Sequence, residues 1–237
     1  PPLAPLLDLA TRAMLALTFF LDPLAGSAAA ALAVVVVTLV VRIVLIPVGV
    51  SQARAEQSRA HLAPRLRMLR ERWARSPERL QRETMQLYRD EGASPLAGCL
   101  PVLAQAPVVG LLYAVFLHPT VGGHANELLA HQLFGVPLGR SLVDALSTGM
   151  TDAATLAVVG TLVAVIALAA EMTRRLLRPS TDPTPPRWMA RLVDALHFSA
   201  AVVAVFVPVA AGLYLAVTTV WTLAQRLLLR RRYPLPS

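Results

Sequence analysis

Residues 28–50 read AAAALAVVVVTLVVRIVLIPVGV. The only charge among these 23 residues is Arg42, and as a helix they would reach about 35 Å, enough to cross a hydrocarbon core of about 30 Å. This run predicts a membrane span at 28–50, and the composition of the whole chain agrees. Its 237 residues are 56% hydrophobic and 15% charged, where soluble domains carry about 25% charge. Glycine and proline are spread along the chain, which excludes collagen-like and low-complexity classes. A single cysteine, Cys99, excludes an intrachain disulfide and a thiolate metal cage built from this chain alone.

Further spans follow toward the carboxyl end. Leu96 to Leu117 (LAGCLPVLAQAPVVGLLYAVFL) has no charge, and its Pro101 and Pro107 are tolerable where neighbouring helices re-satisfy the freed carbonyls; the second span is read as 95–117. The third, 153–170 (AATLAVVGTLVAVIALAA), stops at Glu171. The apolar stretch from Leu192 to Leu228 would reach about 55 Å as one helix, nearly twice the hydrocarbon thickness. Pro208 and Gly212 divide it into a fourth span at 192–207 and a fifth at 208–228.

Arginine sets the expected topology. All 22 basic residues are Arg; segment 51–94 holds 10, segment 171–191 holds 5 and the end of the chain from 226 holds 4. Five spans, with the amino terminus outside and the carboxyl terminus in the cytoplasm of a bacterial cell, put all of these on one side, as the positive-inside rule requires. The net charge of +8 then reads as a topology signal with contacts to membrane lipids, and nucleic-acid specificity is not needed to explain it. The expected fold class is all-α: a polytopic membrane protein with a five-span core and a cytoplasmic helical hairpin.

Outside the spans, residues 1–27 are read as an amphipathic helix in the outer interface, with its stripe at Leu6, Leu9, Ala13, Leu17 and Phe20. A signal peptide cleaved near Gly26-Ser27-Ala28 is the competing reading, weakened by the missing basic n-region. Segment 118–152 is an outer loop, 171–191 a cytoplasmic loop and 229–237 a basic cytoplasmic tail. In 51–94, Leu62, Leu66, Leu69 and Trp73 recur at helical spacing, and a second set follows at Leu80, Met85 (or Thr84), Leu87 and Tyr88. Ser76 before Pro77 reads as a helix start and Gly92 as a stop. Pro64 is expected to bend or start the first arm.

Arg42 is the residue that topology leaves unexplained. An arginine inside a span costs about 2.5–3.5 kcal/mol on insertion scales and marks a functional site by default. Snorkelling to the cytoplasmic headgroups is the plain alternative, but helical side chains lean toward the amino terminus, which directs Arg42 deeper into the bilayer. The expectation is a hydrated cavity walled by Thr38, Gln105, Tyr113, Thr218, Thr219, Trp221 and Gln225; interhelical hydrogen bonding explains the Thr and Tyr residues equally well. No HExxH, GxSxG, P-loop or GxGxxG pattern is present and no acid pair lies inside a span, so the chain reads as no enzyme. His118, His124 and His131 lack the spacing of one helical face, so no metal and no cofactor is expected. A transporter or channel for small anions, using Arg42 as its site, remains the rival from another class; the absence of paired repeats with interrupted spans speaks against it.

The order of an Arg-bearing span ending in Pro47-x-x-x-Ser51-Gln52, a charged helical hairpin, the run LQRETMQLYRDEGASPLAGCLPVLAQAPVVGLLYAVF from Leu80, and PVAAGLYLAVTTVWTLAQ from Pro208 resembles the YidC/Oxa/Alb family of membrane protein insertases, from about 28 to 228. The resemblance implies that Arg42 lies in a hydrophilic groove open to cytoplasm and lipid. It also implies that the hairpin, with Arg65, Arg72, Trp73 and Tyr88, recruits substrates. Nascent membrane proteins would be those substrates, the Sec translocon and the ribosome partners, and no nucleotide or cofactor is needed.

Overall fold

The computed structural model describes residues 4–92, 110, 115, 120–121, 124–129, 131–149, 151–177 and 195–234. Most of the expected second span, including Gln105 and Tyr113, lies outside these residues, as does most of the 171–191 loop.

Helix α1 (Ala4–Ala25) passes through a 3-10 turn at Gly26–Ala28 into α2 (Ala29–Val44). Gly26 sits at φ +51°, a conformation strained for any residue with a Cβ. It lets α1 pack on the start of α2, where Ala29, Ala30, Ala31 and Ala33 are buried; small side chains allow helix backbones to approach closely. Where it is described, the stripe expected for an interfacial helix is mostly turned away from the protein. Leu9, Ala13 and Phe20 are exposed, and the face turned to the protein is the neighbouring one, Thr11, Met14, Thr18 and Leu21. Thr18 can sit there because its hydroxyl donates to the Met14 carbonyl at 2.8 Å, so no polar group is stranded.

The expected first span is broken at Leu45. Pro47 stands in the first turn of the following helix, where its missing N–H costs nothing. That helix, α3 (Ile46–Arg72), continues through Pro64, so Pro64 does not start the first arm. Four residues link it to α4 (Pro77–Asp90). Ser76 precedes α4 as the sequence predicts, but its side chain makes no capping bond. Gly92 ends the hairpin at φ +60°, its N–H donating to the Arg89 carbonyl at 3.1 Å.

The loop beyond is built rather than open. Two short antiparallel pairs, β1 (Thr120–Val121) with β2 (His124–Ala125) and β3 (Gln132–Leu133) with β4 (Val136–Pro137), precede a short helix, α5 (Leu142–Ser147). Leu128, Val136 and Leu138 from this loop enter the main core. Buried Asn126 ties it together: its amide donates to the Val115 carbonyl at 2.5 Å and its Oδ1 accepts from the Leu128 N–H at 3.3 Å.

Helix α6 (Ala153–Leu176) is capped by Asp152, whose carboxylate accepts from the Thr155 N–H at 2.9 Å. It continues six residues beyond 170, because Glu171 is held by Arg174 (2.7 Å) and by Arg175 in the following turn. Helix α7 (Ser199–Phe206) and helix α8 (Val209–Arg232) are divided at Val207-Pro208. The first free N–H groups of α8 are satisfied by the loop, Val209 by the Arg140 carbonyl (2.9 Å) and Ala210 by the Leu138 carbonyl (3.1 Å).

Among the described residues, three helical stretches are long and apolar enough to cross a membrane: Leu9–Val44, Ala153–Leu176 and Val209–Arg232. Helices α6 and α8 run parallel, since Leu162 meets Gly212 while Leu177 packs with Leu223. Helices α2 and α3 run parallel to α8 as well, with Val34 clustered near Ala210, Gly49 against Gln225 and Arg54 against Tyr233. Parallel packing gathers the arginine-bearing ends together: Arg54 of α3, Arg174 and Arg175 of α6, and Arg230 to Arg232 of α8.

Candidate functional site

Arg42 lies near the end of α2 and faces α8. The hydroxyl of Tyr214, a buried residue, is its hydrogen-bond partner, while its Nε is buried without one among the described residues. On α8, Tyr214, Thr218, Trp221 and Gln225 follow at intervals of three and four, which places them along one face. The Trp221 Nε1–H donates to Gln225 Oε1 at 3.1 Å. This fixes the amide so that Gln225 Nε2 lies over Gly49, at a point 2.1 Å from where a Cβ at position 49 would stand. Gln225 Nε2 and Thr218 Oγ1 are also buried without a partner among the described residues. Left unsatisfied, each such group costs about 1–3 kcal/mol, so the seam between α2–α3 and α8 is a place where polar groups from elsewhere would be stabilised.

Of the residues expected to wall a cavity, Arg42, Thr218, Trp221 and Gln225 therefore share one seam. Thr38 is buried one turn before Arg42, but its hydroxyl is already used by the Val34 carbonyl at 2.6 Å. Thr219 likewise bonds its own helix, at Ala216. Gln105 and Tyr113 lie outside the described residues. Tyr214 and Gly49 were missed. Tyr214 stands four residues before Thr218 and could have been found by extending the α8 stripe one turn; Gly49 has no local signal, because its role is to be small where Gln225 crosses.

In the hairpin, Arg65 on α3 pairs with Glu91 just past α4 and closes the two arms. Trp73 at the tip lies between two guanidinium groups, with Arg72 at 5.4 Å and Arg79 at 5.2 Å from its ring, within the range of cation–π attraction. Tyr88 is half-buried on α4. The base of the hairpin is clasped by the end of α8. Arg230 donates to the Leu176 and Leu177 carbonyls at 3.2 and 2.7 Å and stands 3.5 Å from Glu56. Arg54 reaches the Tyr233 hydroxyl at 3.3 Å, and Gln57 donates to the Pro234 carbonyl at 3.0 Å. Hydrogen bonding from Arg54 holds the Tyr233 hydroxyl below its usual pKa. Among the described residues, no group of three His, Cys, Asp or Glu is gathered to hold a metal.

Apolar, membrane-length helices that hold a half-buried guanidinium, an amide and hydroxyl groups between them define a multi-pass helical membrane protein with a polar seam. Residues 20–235 match the family model of the 60Kd inner membrane protein, and the chain belongs to that family. It is 29% identical to the membrane protein insertase YidC of Streptomyces avermitilis over 216 residues, 84% of this chain and 50% of that relative. The insertase YidC of Clostridium perfringens is 38% identical over 79 residues, a third of each chain. That of Helicobacter pylori is 41% identical over 78 residues, 33% of this chain and 14% of its own length. The match thus spans half, or less, of each relative.

Proposed function

We propose that this chain is a membrane protein insertase and chaperone of the bacterial cell membrane. It moves short hydrophilic segments of nascent membrane proteins along the α2–α8 seam and releases their apolar segments into lipid. The observation that carries the reading is Arg42, its Nε without a protein partner among the described residues, in line with Thr218 Oγ1 and Gln225 Nε2 on α8, which likewise have none. Carrying a polar flank across about 30 Å of hydrocarbon is costly because its backbone groups lose water. A polar seam reaching part of the way shortens that path, and the guanidinium attracts an acidic flank. Burial of the substrate's apolar surface in lipid then drives the step. No bond is made or broken, so no catalytic residue and no cofactor is required.

The reading includes five spans, with the amino terminus outside and the arginine-rich ends of α3, α6 and α8 in the cytoplasm. Parallel α2, α6 and α8 support it, because a return crossing must separate each successive pair; 95–117 and 192–207 supply the two returns. Gln105 and Tyr113 would face the seam from the second span. The hairpin would receive substrates from the ribosome, alone or beside the Sec translocon.

In reconstituted vesicles, Arg42→Ala is expected to reduce insertion of a single-span substrate with an acidic translocated flank by several-fold and to spare one with a neutral flank. Equal insertion of both by the variant and the parent would refute the role given to Arg42.

A further inference from the structure

Among the described residues, Phe134 is the only one other than glycine with a positive φ, +51°. It forms the β3–β4 turn with Gly135, at φ +85°. Two successive positive φ values make the tight hairpin turn in which Asn-Gly or Asp-Gly is usual. A bulky aromatic is disfavoured there, and nothing inside the protein compensates, since the Phe134 side chain is 80% exposed.

The base of the hairpin is tied into the protein. Val136 and Leu138 are buried, the Leu138 N–H donates to the His131 carbonyl at 2.9 Å, and the Leu138 carbonyl accepts from the first turn of α8. The tip therefore cannot fold back to bury its ring. Strand β3 packs against the Gly26–Ala28 turn and against α2, at the level where α2 and α8 begin and opposite the arginine-rich ends. Just before that turn, α1 exposes Phe19, Phe20 and Leu24. Residues 132–139 (QLFGVPLG) carry no charge, and Arg140 follows at their base. An uncharged wedge with an aromatic tip and a cation behind it suits the boundary between acyl chains and phosphate headgroups.

We infer that the β3–β4 hairpin is a lipid anchor that seats Phe134 in the bilayer boundary at the end of the bundle away from the arginines, beside the exposed aromatic face of α1. The inference rests on the membrane-length helices and is independent of the insertase reading. To test it, Cys99 is replaced by Ala and a nitroxide is attached through Phe134→Cys or, as a control on the same loop, through Ser147→Cys. Each protein is reconstituted in phosphatidylcholine–phosphatidylglycerol vesicles. The label at 134 is expected to collide more often with oxygen than with a water-soluble nickel chelate, and the label at 147 the reverse. Accessibility to the chelate at 134 equal to that at 147 would overturn the anchor. Protection from both reagents that deepens with protein density would overturn it too, in favour of contact with a second copy. Circular dichroism equal to the parent's establishes that each labelled variant is folded, and Phe134→Asn, which suits the positive φ, is expected to melt no lower than the parent in detergent.

Discussion

The close approach of Gly49 to Gln225 gives a prediction whose sign depends on the structure. A Cβ at position 49 would stand 2.1 Å from Gln225 Nε2 and 2.9 Å from its Cδ, so Gly49→Ala forces the amide aside. Moving it breaks the 3.1 Å bond from Trp221 Nε1. The lost bond and the indole N–H left unpaired cost about 1–3 kcal/mol together. Against this, replacing glycine by alanine within a helix gains about 1 kcal/mol in propensity. The net effect in the parent is a loss of about 0–2 kcal/mol. In a Gln225→Ala background the obstructing amide is gone, and Gly49→Ala should stabilise by about 1 kcal/mol. A double-mutant cycle in reversible unfolding from mixed micelles should therefore give a coupling of about 1–3 kcal/mol. Trp221 emission should shift when Gly49→Ala is made in the parent and stay put in the Gln225→Ala protein. Equal effects of Gly49→Ala in both backgrounds would show that the two residues do not meet.

Other consequences follow from single contacts. Arg230→Ala removes two charge-assisted bonds to the last carbonyls of α6 and should cost about 1–2 kcal/mol after allowance for partial exposure, with faster amide exchange in the last turn of α6. Lysine at 230 should restore only part of this, since it lacks the planar fork; full rescue would argue against the two-carbonyl clasp. Asn126→Ala leaves the Val115 carbonyl and the Leu128 N–H unpaired in a buried loop and should cost about 2–3 kcal/mol, measured as a fall in the unfolding midpoint. Hydrogen bonding from Thr155, whose N–H stands 2.9 Å from the carboxylate, holds the Asp152 carboxyl below its usual value of 3.8. Because the folded-state pKa is depressed, the cap contributes fully above that value and is lost as pH falls through the lower folded one. Amide exchange at the start of α6 should accelerate only below about pH 4, and Asp152→Ala should abolish that acid dependence.

Sequence was sufficient where one local property decides the outcome. The length and apolarity of 153–170 and 208–228 announce membrane-length helices, Pro208 marks the break before α8, and Gly92 ends the hairpin. These follow from hydrocarbon thickness and from backbone chemistry, which act within one segment. Arg42 could be singled out because one guanidinium inside an apolar run has a cost that nothing nearby offsets.

Questions of facing were settled by packing. The apolar stripe on α1 was visible; that the adjacent face, with Thr11, Met14, Thr18 and Leu21, meets the protein was not. Thr38 and Thr218 look alike in sequence, yet Thr38 spends its hydroxyl on the Val34 carbonyl and Thr218 finds no partner among the described residues. Tyr214 as the partner of Arg42, Gly49 beneath Gln225, and Arg230 across α3, α6 and α8 join positions far apart in the chain. Composition and length determined that the chain carries membrane-length helices; the docking of α2 and α3 on α8 alone decided which polar groups meet between them, since that depends on helix rotation and close approach.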